Sequence, residues 1–232
     1  MENSSGLIEG EMFGFCEQDK KLVAFVSTCK EPSKRICTNA VILLPGLGDG
    51  FMSLSYTWFL KLELQKIDFS LVQVNLSSSF NQFGFSSLKQ DSKEIGQLIA
   101  AIKTRYNFQR IVMIGHSTGN QDVLYFLRHG DPDFTQHVSA IILQGAVSDR
   151  DVMVTFEETP RMTKESSELV REGKGDRFLS DRLYDAPVTA ERYSSLIGRL
   201  TPDDMFSVDL TEEELKGVLG AVKVPVLMCF MQ

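Results

Sequence analysis

Histidine is scarce in this chain, with three in 232 residues, at positions 116, 129 and 137. Any reaction that needs an imidazole base therefore has three candidates within it. Positive charge is also short: 24 Lys and Arg face 31 Asp and Glu, for a net charge of -7, and no basic cluster stands out. Nucleic acid and anionic membrane surfaces are excluded as natural partners on that balance. No apolar run approaches the roughly 20 residues of a membrane span; "VILLPGL" is typical of the longest. The four cysteines (Cys16, Cys29, Cys37 and Cys229) form no C-x-x-C pair, and no His/Cys cluster has metal-ligand spacing. The expectation is four free, mostly buried thiols, with no metal and no organic cofactor. The opening "MENSSGLIEGEMFGF" has no basic stretch followed by an apolar one, so it is neither a secretory signal nor an Arg-rich transit peptide. A cytoplasmic location follows as an expectation, and the sequons at Asn3 and Asn75 then carry no meaning.

What remains is an ordinary globular composition, 43% hydrophobic and 24% charged, at a length that suits one α/β domain over residues 1–232. Short β-branched runs recur at 39–45, 69–76, 110–115, 138–145 and 224–230, as expected of strands buried on both faces of a parallel sheet. Amphipathic stretches separate them. Residues 87–104 put Leu88, Ile95, Leu98, Ile99 and Ile102 on one face, with Ser87 and Gln90 as a capping box. Helices are also predicted over 53–66, from about Thr118 to Arg128 with a stop at Gly130, and over 211–220 with Thr211 and Glu214 as its box. "KLVAFVS" (21–27) reads as an antiparallel edge strand after a short preceding one. The alternation predicts a doubly wound, mostly parallel sheet with helices on both faces. Residues 146–210 break the rhythm with polar helical pieces near 161–172 and 189–199. Leaving the carboxyl end of a strand, this excursion is read as a lid over a pocket, against plain solvated decoration.

"GHSTG" (115–119) matches G-x-S-x-G with a strand before it and a helix after it. A turn that tight rejects side chains at both flanking positions, which projects Ser117 as a nucleophile at the carboxyl edge of the sheet. The alternative is a glycine-lined turn in which the serine only caps a helix. The N–H of Thr118 then stands at a helix N-terminus, where it stabilises an oxyanion. "LLPGLGDG" (43–50) follows the first core strand, and its glycines let backbone N–H groups converge, with Leu47 as the second oxyanion donor. As a nucleotide loop it lacks the full G-x-G-x-x-G, and "VNLSSS" after the next strand offers no ribose-binding acid. Of the histidines, His116 projects differently from its neighbour Ser117. His129 lies about 16 Å further along a helix, and His137 belongs at the opposite edge of the sheet. Asp149 sits just past a strand's carboxyl end and is the candidate acid, with a loop-capping role as its alternative. Asp49 and Asp122 are read as polar neighbours of the pocket or as surface and capping residues.

Taken together, "PGLGDG", "LVQVNLSSSFNQFGFSSLKQDSKEI", "GHSTGNQD" and "LQGAVSDRD" resemble the α/β-hydrolases of long-undefined function that include the fungal fusarinine-type siderophore esterases. The resemblance covers about residues 10–230. It implies an α/β-hydrolase fold, a small-molecule ester substrate, and Ser117 as the nucleophile. It places the acid and histidine of the triad beyond the strand "VPVLMCF", and so past Gln232. On that reading the chain is a C-terminally truncated member, impaired as a serine esterase, and its last strand forms a long apolar edge. Oligomeric state stays open. A non-catalytic binding protein on the same fold is the alternative.

Overall fold

The computed structural model describes residues 7–19, 21–29 and 35–229. In chain order the strands are β1 (Gly10–Gly14), β2 (Val23–Ser27), β3 (Asn39–Leu44), β4 (Phe69–Asn75), β5 (Ile111–His116), β6 (Val138–Gln144), β7 (Phe178–Leu183), β8 (Ala186–Thr189) and β9 (Val226–Cys229). The helices are α1 (Thr57–Lys66), α2 (Leu88–Tyr106), α3 (Gly119–His129), α4 (Pro132–Thr135), α5 (Asp149–Met153), α6 (Thr159–Arg171), α7 (Ala190–Ile197) and α8 (Glu212–Leu219), with a 3-10 helix over Phe80–Phe85.

Seven strands make one sheet in the order β1-β2-β4-β3-β5-β6-β9. From β4 to β9 neighbouring strands are parallel, while β2 meets β1 and β4 antiparallel. The predicted edge strand is therefore one place in from the edge, which β1 occupies. The unbroken apolar runs have their cause in this arrangement. Ala40, Ile42 and Leu44 face one layer with Ile95, Leu98, Ile99 and Ile102 of α2 and Val123, Leu124 and Phe126 of α3. Val41 and Leu43 face the other, with Leu64 of α1. Each fully buried α2 isoleucine or leucine contributes roughly 1.5–3 kcal/mol.

Capping follows the sequence in part. Thr211 and Glu214 form both halves of their box. The Ser87 hydroxyl accepts from the Gln90 N–H at 3.2 Å, but the Gln90 amide turns to Glu94 instead, at 2.6 Å, so only half of that box forms. Helix α1 starts at Thr57 rather than 53, because Ser53 is drawn into the preceding turn by the Gly50 N–H. Of the four thiols only Cys37 is buried; the others are half-buried, contrary to the expectation that most would be enclosed. Residues 146–210 build α5, α6, α7 and the β7–β8 hairpin around Met153, Met162, Leu183, Val188 and Tyr193, with Leu47 packed against them. On β9, Val226, Leu227 and Met228 are exposed; Phe230, the last residue of the predicted strand, lies outside the described residues. No helix among the described residues is long and apolar enough to cross a membrane.

Candidate active site

The turn between β5 and α3 consists of Ser117 and Thr118. Ser117 has φ +53°, a left-handed conformation that costs an L-residue free energy. The flanking glycines show why. A Cβ on Gly115 would lie 2.5 Å from the Gly119 carbonyl, and one on Gly119 would lie 2.3 and 2.5 Å from the Leu44 and Pro45 carbonyls. What holds the strained turn is a clamp that sequence reasoning missed. The Ser117 N–H donates to the Gln144 carbonyl at 3.0 Å. The fully buried Asn120 amide donates to the Ser117 and Gln144 carbonyls at 2.8 and 3.0 Å, and accepts the Gln144 N–H at 3.1 Å. Asn120 lies inside "GHSTGNQD", but its partner is 24 residues away on β6, and no local pattern signals that.

Over this turn runs the glycine loop that follows β3. A Cβ placed on Gly46 would stand 3.2 Å from Ser117 Cβ and 3.6 Å from Ser117 Oγ. The loop is tied to itself: the Gly46 N–H donates to Asp49 Oδ2, and the Asp49 N–H to the Gly46 carbonyl, both at 3.1 Å. Asp49 is thus a loop cap. Among the described residues, the backbone N–H groups of Leu47 and Thr118 have no hydrogen-bond partner. Both residues line one cavity of about 30 Å³.

None of the histidines reaches the serine. His116 Nδ1 lies 3.2 Å from Gln144 Oε1, which also accepts from the Tyr56 hydroxyl. The His129 ring packs on Tyr125, with centroids 4.5 Å apart, and His137 precedes β6 at the far edge of the sheet. Among the described residues nothing hydrogen-bonds Ser117 Oγ. Asp149 is buried at the start of α5, and its carboxylate accepts from Gln121 Nε2 at 2.9 Å rather than from an imidazole.

Behind the glycine loop the same cavity is closed by Asp91, Asp122, Asp203 and Arg192. The Asp122 carboxyl is a wall of it, not a surface or capping group, and its Oδ1 is buried without a partner among the described residues. Burial, then the Asp91 charge, pushes Asp122 well above the usual carboxylate range, with Arg192 opposing. Burial raises Asp91 to about 7 and, with Asp203 adding to it, Asp149 to about 7. These shifts carry a sign. An acid that binds its proton more tightly folded than unfolded contributes stability that is complete below about pH 4 and lost as pH rises to about 7. The urea midpoint is expected to fall across that interval, and to fall less steeply in Asp149→Asn. A midpoint that rises from pH 4 to pH 7 in the wild type would contradict this assignment.

Residues 14–232 match the family described as "Protein of unknown function (DUF1749)". The chain is 29% identical over 224 residues to the UPF0613 protein PB24D3.06c of Schizosaccharomyces pombe, covering 89% of this chain and 70% of that one. It is 29% identical over 234 residues to the fusarinine C esterase sidJ of Aspergillus fumigatus, covering 80% and 66%. It thus spans about two thirds of the length of these curated relatives. The solved siderophore hydrolase EstB from Aspergillus fumigatus superposes with a TM-score of 0.78 at 26% identity, covering 97% of this chain and 78% of that one. The fold is that of the α/β-hydrolases, and the chain belongs to the DUF1749 family.

Proposed function

We propose that this chain carries the nucleophile and oxyanion hole of a serine-dependent carboxylic-ester hydrolase acting on small-molecule esters. The observation that supports it most is the juxtaposition of three features. Ser117 is strained on a strand-to-helix turn, the glycine loop runs so close that a Cβ on Gly46 would stand 3.6 Å from its Oγ, and the residues next to these two, Leu47 and Thr118, have N–H groups without a partner among the described residues and line one cavity. Ser117 Oγ attacks the ester carbonyl, its proton passes to a base, and the alkoxide leaves with a proton to yield an acyl-serine that water hydrolyses. The two N–H groups stabilise the tetrahedral oxyanion, a contribution of about 3–4 kcal/mol per donor in a formed hole. Residues 146–210 act as a lid whose apolar core reaches the loop through Leu47. Relatives named as esterases support the reaction class.

None of His116, His129 and His137 is placed to serve as that base, and it is assigned to none of them. Without a base, binding and an oxyanion hole alone supply a residual enhancement of roughly 10³–10⁴ over water. His116 is turned to Gln144 and Asp149 to Gln121, which favours a second reading, a non-catalytic ligand-binding protein. One experiment separates them: hydrolysis of an activated aryl ester and labelling by a fluorophosphonate, with and without added imidazole as an external base. Both are expected to be slow, to accelerate with imidazole, and to vanish in Ser117→Ala. A folded chain inert in every condition overturns the hydrolase reading for it, and rates unchanged in Ser117→Ala exclude this serine.

A further inference from the structure

At the edge of the sheet opposite Ser117, three segments converge. Cys29 follows the end of β2, Cys37 precedes β3, and Asp68 precedes β4. Because β3, β4 and β5 are parallel, the starts of β3 and β4 lie a full strand length from the carboxyl edge that carries Ser117. The two sulfur atoms and a carboxylate oxygen of Asp68 all lie within 4.8 Å of one another. Two ligands about 2.3 Å from a tetrahedral ion sit about 3.8 Å apart, so these donors need only a small inward adjustment to share one ion.

Each donor is held from behind. The Cys29 N–H donates to the Arg35 carbonyl at 2.7 Å, which holds Cys29 beside the residues that lead into Cys37. Thr28, just before it, is tied to α1 by the Gln65 side-chain amide. The Cys37 N–H donates to Ser70 Oγ at 3.0 Å. Asp68 is fixed from both ends: its Oδ1 accepts the Thr38 N–H at 3.1 Å, and its own carbonyl accepts the Asn39 side-chain amide at 3.1 Å. Such supports orient ligands and tune affinity at metal centres. Cys37 is buried while Cys29 and Asp68 are half-buried, so the cluster opens to solvent on one side.

We infer that Cys29, Cys37 and Asp68 form a binding site for one thiophilic divalent cation of the zinc class. Two thiolates and one carboxylate match the donors that zinc takes, and a water fills the fourth, solvent-facing position. Binding releases two thiol protons per ion, as each S–H bond is exchanged for a sulfur–metal bond and the protons pass to solvent. The ion pins the β2–β3 connection to the start of β4. This site stands apart from the ester-hydrolase reading and does not depend on it. Sequence spacing hides it, because Asp68 is 31 residues beyond Cys37.

The test is titration of the full, metal-free chain, kept reduced with a phosphine, with Co²⁺ as a spectroscopic probe and Zn²⁺ as the competitor. Saturation at one ion per chain is expected, with a thiolate-to-cobalt charge-transfer band that Zn²⁺ abolishes. Asp68→Asn is expected to weaken binding at least about tenfold. Cys29→Ser, at a half-buried position that should leave the fold intact by circular dichroism, is expected to lose stoichiometric binding. Cys16→Ser/Cys229→Ser is expected to bind as the wild type does. A folded, reduced wild-type chain that shows no thiolate band overturns the inference, and so does a band that survives in Cys29→Ser or disappears in the Cys16/Cys229 variant.

Discussion

Gly119→Ala is expected to cost about 3 kcal/mol or more of folding stability and to displace Ser117 at the same time. The new methyl would sit 2.3 Å from the Leu44 carbonyl and 2.5 Å from that of Pro45. Both obstacles are backbone, one in a central strand and one at its end, so no side-chain rotation relieves the clash. Either α3 retreats from β3 or the glycine loop is pushed outward. Each movement separates the Ser117 turn from the N–H of Leu47, and misplacement of reacting groups by about 1 Å costs on the order of 10²-fold in rate. A control is available in the same chain. Gly217 is exposed within α8, and a methyl added there would have nothing within 4 Å. Gly217→Ala is expected to be neutral or to stabilise by up to about 1 kcal/mol. Urea denaturation of the two variants checks the pair. Equal midpoints for Gly119→Ala and wild type would show that the packing of this turn does not require glycine.

Glycine at this turn was legible in "GHSTG" because the turn and the approach of Gly115 to Gly119 are local, although the backbone that crowds Gly119 comes from β3 and the residue after it. The parallel core was legible for a similar reason. Runs such as 39–45 and 138–145 have one burial state along their length, and the observed strands Asn39–Leu44 and Val138–Gln144 follow them within a residue. Elsewhere the determinants are distant. Gln90 reads as a capping-box partner of Ser87 until Glu94, one turn further along α2, takes its amide. The β7–β8 hairpin escapes pattern reading because its turn residues, Tyr184 and Asp185, take φ of 50° and 62° without the Gly or Asn that usually marks such a turn. Asn120 and Asp122 look alike as polar residues on a helix start. Only β6 makes the first a clamp, and only α2 and α7 make the second part of a buried wall.

The wall is also where the second large effect lies. Arg192 on α7 is 7% exposed; its Nη1 donates to both oxygens of Asp203, at 2.8 and 2.9 Å, and its Nε donates to the Phe83 carbonyl at 3.1 Å. Burial works against this charge, but the charge and hydrogen bonds of Asp203 more than offset it, so the guanidinium pKa is raised. The same cation lowers Asp91, Asp122 and Asp149 against their burial. Arg192 is thus the one positive group among the described residues that close this cavity, and it joins the 146–210 segment to the 3-10 helix beside the glycine loop. Arg192→Met is expected to destabilise by roughly 3–5 kcal/mol, because removing one partner strands the other charge in a low dielectric. The loss should be largest near neutral pH and smaller near pH 5, where the stranded carboxyls take up protons. Arg192→Met/Asp203→Leu, which removes both charges, is expected to recover part of the loss. If the double variant is as unstable as the sum of the two single ones, the pair is not coupled, and α7 is held by its apolar face through Tyr193 and Leu196 alone.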